Sequence, residues 1–143
     1  MAAVETFRSV VSPAECDHLG HMNVSRYFAA VSDGVFAFQT MLGLGPTDIR
    51  EGRRLSFAVV RAESDFKSEL AAGDVIRLLT AVKQLGSKSV LFRHQLERVE
   101  DGEVAFETLF RCVLLDLQAR RAVEVPDDIR DKLEAYFEAQ EIT

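Results

Sequence analysis

Glu15-Cys16-Asp17-His18-Leu19-Gly20-His21-Met22-Asn23 runs into a long apolar stretch, and the two together decide the fold. From Arg26 to Leu42 the only charged side chains are Arg26 and Asp33. Tyr27, Val31, Val35, Phe38 and Leu42 recur at helical spacing, so the stretch reads as a helix. Phe28, Phe36 and Met41 add apolar residues on its other sides. A helix apolar nearly all round is expected inside a protein rather than on its surface. Gly43-Leu44-Gly45-Pro46 follows too soon for a membrane span, with Gly43 placed as a C-cap. Something else in the chain must wrap this helix.

The wrapping is written on both sides of it. Upstream, Glu5 to Val11 reads as a short strand with Phe7, Ser9 and Val11 on one face, stopped by Ser12-Pro13. Downstream, Pro46 to Arg54 is a polar connection, and after Leu55 the period changes to two. Strands are expected over Ser56 to Leu70, Val75 to Leu85, Ser89 to Val99 and Val104 to Leu117. In the last of these Val104, Phe106, Phe110, Cys112 and Leu114 face one way, Glu107 and Arg111 the other. The turns at Ala71-Ala72-Gly73-Asp74, Gly86-Ser87-Lys88 and Asp101-Gly102 are short, which forces antiparallel neighbours. Pro126-Asp127-Asp128 opens a terminal helix with an apolar stripe of Ile129, Leu133, Tyr136 and Phe137. No repeat, low-complexity tract or linker intervenes, so residues 1–143 read as one domain. Its class is α+β: a curved antiparallel sheet of about five strands around a central helix, plus a C-terminal helix. Such a sheet keeps an open edge, so pairing into a homodimer or homotetramer is expected.

Composition narrows the function. A net charge of -6 argues against nucleic-acid binding, which wants Lys and Arg in excess, although a local basic patch could serve a small phosphorylated ligand. Met1-Ala2-Ala3-Val4-Glu5 lacks the basic and apolar run of a secretory leader. Cys16 and Cys112 are too few and too far apart for a disulfide framework. The expected setting is the cytoplasm, with no membrane partner.

Asp17-His18-Leu19-Gly20-His21-Met22-Asn23, with Tyr27 four positions on, resembles the signature of hotdog acyl-CoA thioesterases of the 4-hydroxybenzoyl-CoA thioesterase type. Leu85-Gly86-Ser87-Lys88-Ser89-Val90 and Pro126-Asp127-Asp128-Ile129-Arg130 look similar to later stretches of that family, so the likeness runs from roughly Phe7 to Leu133. The resemblance implies the hotdog fold and cleavage of an acyl-CoA thioester to a carboxylic acid and free coenzyme A, without metal or other cofactor. It implies Asp17 as nucleophile or general base and the backbone N–H near Val24 as the group that polarises the carbonyl. Tyr27 would meet the acyl group, and Lys88 and Ser89 the pantetheine arm or the nucleotide phosphates. Some relatives carry apolar and aromatic residues where this chain has His21, Met22 and Asn23, so direct attack by Asp17 and activation of water both stay open.

Elementary chemistry supports the same loop. A carboxylate just before a helix N-terminus sits near unpaired N–H groups that favour its charged form, and those groups can bind an oxyanion. Gly20 permits a sharp turn and close approach to a substrate. Asn23 suits a helix cap, with substrate contact as the alternative. His21 is either a structural hydrogen-bonding residue or the acid that meets a leaving thiolate. Asp17 itself could be no more than a turn or capping aspartate. Cys16, His18 and His21 are too crowded for zinc, and only His94 remains as a distant histidine. Asp33 must be paired or reach water. Glu63, Asp65 and Glu69 alternate as a solvated face in which a second functional carboxylate could hide, and Lys88 could be merely a solvated turn lysine. Two rival functions remain: a hydratase or dehydratase of the same fold, which would use a histidine and an acid, and a non-catalytic module that holds acyl-CoA or acyl carrier protein.

Overall fold

The computed structural model of the chain describes residues 3–138. Its elements are β1 (Val4–Val10), a 3-10 turn (Pro13–Glu15), α1 (Val24–Met41), α2 (Pro46–Glu51), β2 (Leu55–Phe66), β3 (Val75–Leu85), β4 (Ser89–Arg98), β5 (Val104–Asp116), β6 (Arg121–Ala122) and α3 (Asp127–Glu134). The strands form one antiparallel sheet in the order β1-β3-β4-β5-β2, with the short β6 on β5. The sheet curves over α1, which is the hotdog layout.

α1 meets the sheet through Tyr27, Ala30, Val31, Gly34, Phe38 and Gln39. Gly34 permits the closest approach: a Cβ there would collide with Leu78 Cδ2 and come within 2.9 Å of Thr6 Oγ1. Gln39 is buried and satisfied, its Oε1 accepting from Phe57 N at 3.0 Å and its Nε2 donating to Ser56 Oγ at 3.1 Å. Phe38 and Phe57 both meet the Phe92 ring edge-on, with centroids 5.7 and 5.3 Å away. At the opposite end of α1, Tyr27 and Phe28 pack on Phe66 and Phe106.

Several expectations change. α1 is not enclosed on all sides, because a single curved sheet covers only one side of a helix. Ala29, Ser32, Asp33, Phe36, Ala37 and Thr40 are exposed, Phe36 to 56%, and Asp33 meets its need by reaching water. The polar connection contains a short helix, α2, started by Pro46 at its first position. β2 ends at Phe66, not Leu70: Lys67 N and Ser68 N both donate to Ala105 O, and two donors on one acceptor break the ladder. Leu70 then turns into the core. α3 ends before Phe137, which is exposed, while Tyr136 and Glu138 bond to Val82 and prolong the sheet edge beyond β1.

The inner face also holds polar groups that alternation does not announce. Thr6 Oγ1 lies 2.9 Å from Thr80 Oγ1, which lies 2.9 Å from His94 Nδ1. Burial pushes the His94 pKa down to about 3, and its Nε2 has no hydrogen-bond partner among the described residues.

Candidate functional site

The Asp17 loop is a small hairpin. Cys16 and Met22 pair as an isolated antiparallel bridge, Asp17 N donates to His21 O at 3.2 Å, and Gly20 N donates to Asp17 O at 3.0 Å. Gly20 has φ +90°, the left-handed conformation that follows a tight turn in a three-residue hairpin loop. His18 and Leu19 project from the tip. The loop is fixed to the body by Met22 N to Leu70 O at 2.7 Å and Asn23 N to Glu15 O at 2.9 Å.

Asn23 joins this hairpin to the helix. Its Oδ1 accepts from Ser25 N at 3.0 Å and Ser25 Oγ at 2.8 Å, the expected cap, and its Nδ2 donates to Asp17 Oδ2 at 3.0 Å. Asp17 Oδ1 accepts from Leu19 N at 2.9 Å. The Asn23 amide and then the Leu19 N–H hold the Asp17 pKa below its ordinary value, so the carboxylate is charged at neutral pH. This corrects the source of the effect: among the described residues no α1 N–H bonds Asp17, and Asn23 is its hydrogen-bonded link to the helix. The turn-aspartate role and a chemical role therefore coexist in one side chain, since each oxygen keeps a free lone pair.

A cleft of about 290 Å³ opens beside the loop, lined by His21, Met22, Val24, Tyr27, Phe66, Lys67, Ser68 and Glu69. Val24 N is the first amide of α1 and takes no partner among the described residues, and Val24 is 56% exposed. Tyr27 forms a buried wall, its hydroxyl against Leu70 N, and burial raises its pKa. Glu69, which alternation puts on a solvated face, stands in the cleft because the chain leaves the strand at Phe66. Its Oε1 lies 3.8 Å from His21 Nε2. Nothing in the sequence pattern marks the break after Phe66, so Phe66, Lys67 and Ser68 were not legible as lining.

His21, Val24 and Tyr27 line the cleft, while Asp17, Gly20 and Asn23 belong to the hairpin beside it and are not among the lining residues. Lys88 and Ser89 belong to neither. Lys88 closes the β3–β4 turn and Ser89 opens β4, while the other end of the 11-residue β3, roughly 33 Å away at about 3.3 Å per residue, pairs with Val10, just before the segment that carries the Asp17 loop. Cys16 is half-buried with its Sγ 3.7 Å from Ser12 O, and His94 is buried on the inner face of the sheet. A smaller hollow of about 180 Å³, between Arg61, Glu63, Leu91, Leu109 and Arg111, lies away from the loop.

The profile of the thioesterase-like superfamily matches residues 11–133. The chain belongs to that superfamily. It is a thioester hydrolase. Among curated proteins of this kind, the long-chain acyl-CoA thioesterase FadM of Escherichia coli (strain K12) is 22% identical over 117 residues, which are 80% of this chain and 85% of FadM. The structure of SAV2348 from Staphylococcus aureus, solved in complex with CoA, superposes with a TM-score of 0.86 at 23% identity, covering 100% of this chain and 90% of that one. Slr0204, a 1,4-dihydroxy-2-naphthoyl-CoA thioesterase from Synechocystis, gives a TM-score of 0.77 at 14% identity over 94% of this chain and 95% of that one. No helix of this thioesterase, among its described residues, is long and apolar enough to cross a membrane.

Proposed function

We propose that this thioesterase hydrolyses an acyl-CoA with an aromatic or short to medium acyl chain, giving the carboxylic acid and free CoA without any cofactor. The observation that carries the reading is that Val24, whose N–H has no partner among the described residues, lines the cleft at the head of α1, with the charged Asp17 one side chain away through Asn23. The thioester oxygen takes the Val24 N–H, and Tyr27, Phe66 and Met22 receive the acyl group. Asp17 attacks the carbonyl carbon or draws a proton from the water that does. Negative charge gathers on the oxygen facing Val24, where a fixed donor stabilises it. The C–S bond then breaks, sulfur leaves with the bonding pair, and His21 supplies its proton. Where Asp17 itself attacked, the acyl group stays on it as an anhydride, which water cleaves to the free acid and the Asp17 carboxylate.

The second copy is part of this reading. Among the described residues no strand pairs with the outer edge of β2, where Val59 and Val60 are exposed and Arg61 pairs with Glu63 on its own strand. Antiparallel pairing of two β2 strands centred on Ala62 sets Arg61 opposite the partner's Glu63. It also sets Phe66 beside the partner's Ala58, in a row with the partner's Val113 and the partner's Ser89. Three strand spacings make about 14 Å, a distance that an extended pantetheine arm spans. Lys88 and Ser89 thus serve the cleft of the other protomer. Two unpaired thiols suit the reducing cytoplasm.

Release of free thiol from a panel of aromatic and aliphatic acyl-CoAs, wild type beside Asp17→Asn, tests the core claim. Release that depends on Asp17 supports it. A folded protein that releases nothing, or an Asp17→Asn variant with full turnover, overturns it.

A further inference from the structure

Three side chains in the cleft can carry charge: His21, Lys67 and Glu69. Lys67 is already engaged, its Nζ 3.4 Å from Glu107 Oε2 on β5. Glu69 is not. Apart from His21 Nε2 at 3.8 Å, its carboxylate has no partner among the described residues, and 79% of the side chain is exposed. The other ring nitrogen, His21 Nδ1, has no partner among them either.

The backbones that carry this pair are fixed. His21 O accepts from Asp17 N, and Met22 N reaches Leu70 O, tying the residue after His21 to the residue after Glu69. Glu69 O accepts from Arg98 Nη1 at 3.1 Å. The two side chains therefore face each other because a two-point backbone clamp holds them there. At 3.8 Å the contact is longer than a direct hydrogen bond, and rotation of the exposed Glu69 side chain closes it, as unliganded sites commonly tighten on binding.

An ionised carboxylate only accepts, so beside Nε2 it selects the ring form with hydrogen on Nε2. We propose that Glu69 is a positioning residue that holds His21 through Nε2–H, so that Nδ1 is the atom that passes a proton to the leaving sulfur. This deepens the thioesterase reading above and rests on it. In the protonated ring both nitrogens carry hydrogen; Nε2–H stays with Glu69 and Nδ1–H goes to the sulfur as the C–S bond breaks. The neutral ring, still Nε2–H, regains its proton from solvent before the next turnover.

Two measurements decide it. In 15N-labelled protein, long-range 1H–15N spectra assign the neutral His21 ring, with His21→Ala identifying its signals. The wild type is expected to show an excess of the Nε2–H form that shrinks in Glu69→Ala and is largely kept in Glu69→Gln, whose amide oxygen still accepts. An unchanged ratio, or a wild-type ring with hydrogen mainly on Nδ1, overturns the proposal. In kinetics, Glu69→Ala is expected to lower kcat about tenfold with KM held within about twofold, and to cost nothing further in a His21→Ala background. An equal loss in that background overturns it. Absence of thiol release from every acyl-CoA would remove the thioesterase reading, and the spectra would still decide how Glu69 holds His21.

Discussion

Asn23 holds Asp17 with one end of its amide and the first turn of α1 with the other. Nδ2 lies 3.0 Å from Asp17 Oδ2, while Oδ1 lies 3.0 Å from Ser25 N. Asn23→Asp separates the two duties, since aspartate caps a helix as well as asparagine but offers Asp17 a like charge in place of a donor. Stability is expected to stay within about 0.5 kcal/mol while kcat/KM falls at least tenfold. Asn23→Ala loses both, costing about 1 kcal/mol in urea unfolding as well as activity. Full activity in Asn23→Asp, with the loss confined to Asn23→Ala, would show that the cap alone matters.

Asp17 carries a pH signature. Its hydrogen bonds lower its pKa, so the charged form is held to a lower pH than in an ordinary aspartate. The acid fall of kcat/KM is therefore expected below the usual carboxylate range in the wild type. In Asn23→Ala, which removes the larger of the two stabilising bonds, that fall moves to higher pH. A pH–rate profile of the two proteins checks it; identical acid limbs would detach Asp17 from the rate.

His94 sets a pH limit on the fold itself. The unfolded ring takes up a proton near pH 6.5 and the buried ring only near pH 3. Between those values the unfolded state holds the extra proton, so stability falls as pH falls, by roughly 1.4 kcal/mol per pH unit. His94→Leu is expected to flatten this dependence, leaving Thr80 still bonded to Thr6. Urea midpoints from pH 7 down to pH 4 measure the slope, and parallel curves for the two proteins would contradict the assignment.

Gly34→Ala sets helix propensity against packing. Alanine favours a helix by about 1 kcal/mol over glycine, yet its methyl would strike Leu78 and Thr6. Core overpacking costs about 1–3 kcal/mol, so net destabilisation is expected in chemical denaturation. A more stable variant would mean that the helix can move off the sheet freely.

The β2 edge is open to a charge swap. Arg61→Glu sets two carboxylates against each other across the proposed β2 seam and is expected to shift the protein toward monomer by light scattering. Adding Glu63→Arg restores opposite charges and the dimer. A dimer indifferent to both changes lies elsewhere on the molecule.

The parts of this molecule governed by local pattern were legible before any coordinates. The 3.6-residue period of Tyr27, Val31, Val35 and Phe38 and the short turns around Gly73 and Gly102 yielded α1 and the antiparallel order. The Asp17–Asn23 run yielded the loop. What stayed hidden depends on single hydrogen bonds between distant residues. Glu69 continues the alternation of Glu63 and Asp65 on paper, but Lys67 N and Ser68 N converge on Ala105 O and carry it elsewhere. Thr6, Thr80 and His94 read as ordinary strand residues because their partners lie on three different strands. Phe36 is apolar in a helix of apolar residues, and only the curvature of the sheet reveals that it faces outward.

The segment 67–69 hangs between two fixed posts, the end of β2 at Phe66 and the buried Leu70 whose carbonyl binds Met22. Substitutions of Lys67 or Ser68 between these posts alter the mouth of the cleft without disturbing the core or the Asp17 hairpin. Lys67 and Ser68 can therefore diverge quickly, so one scaffold can be re-tailored to new substrates at its mouth while Glu69 keeps its place beside His21.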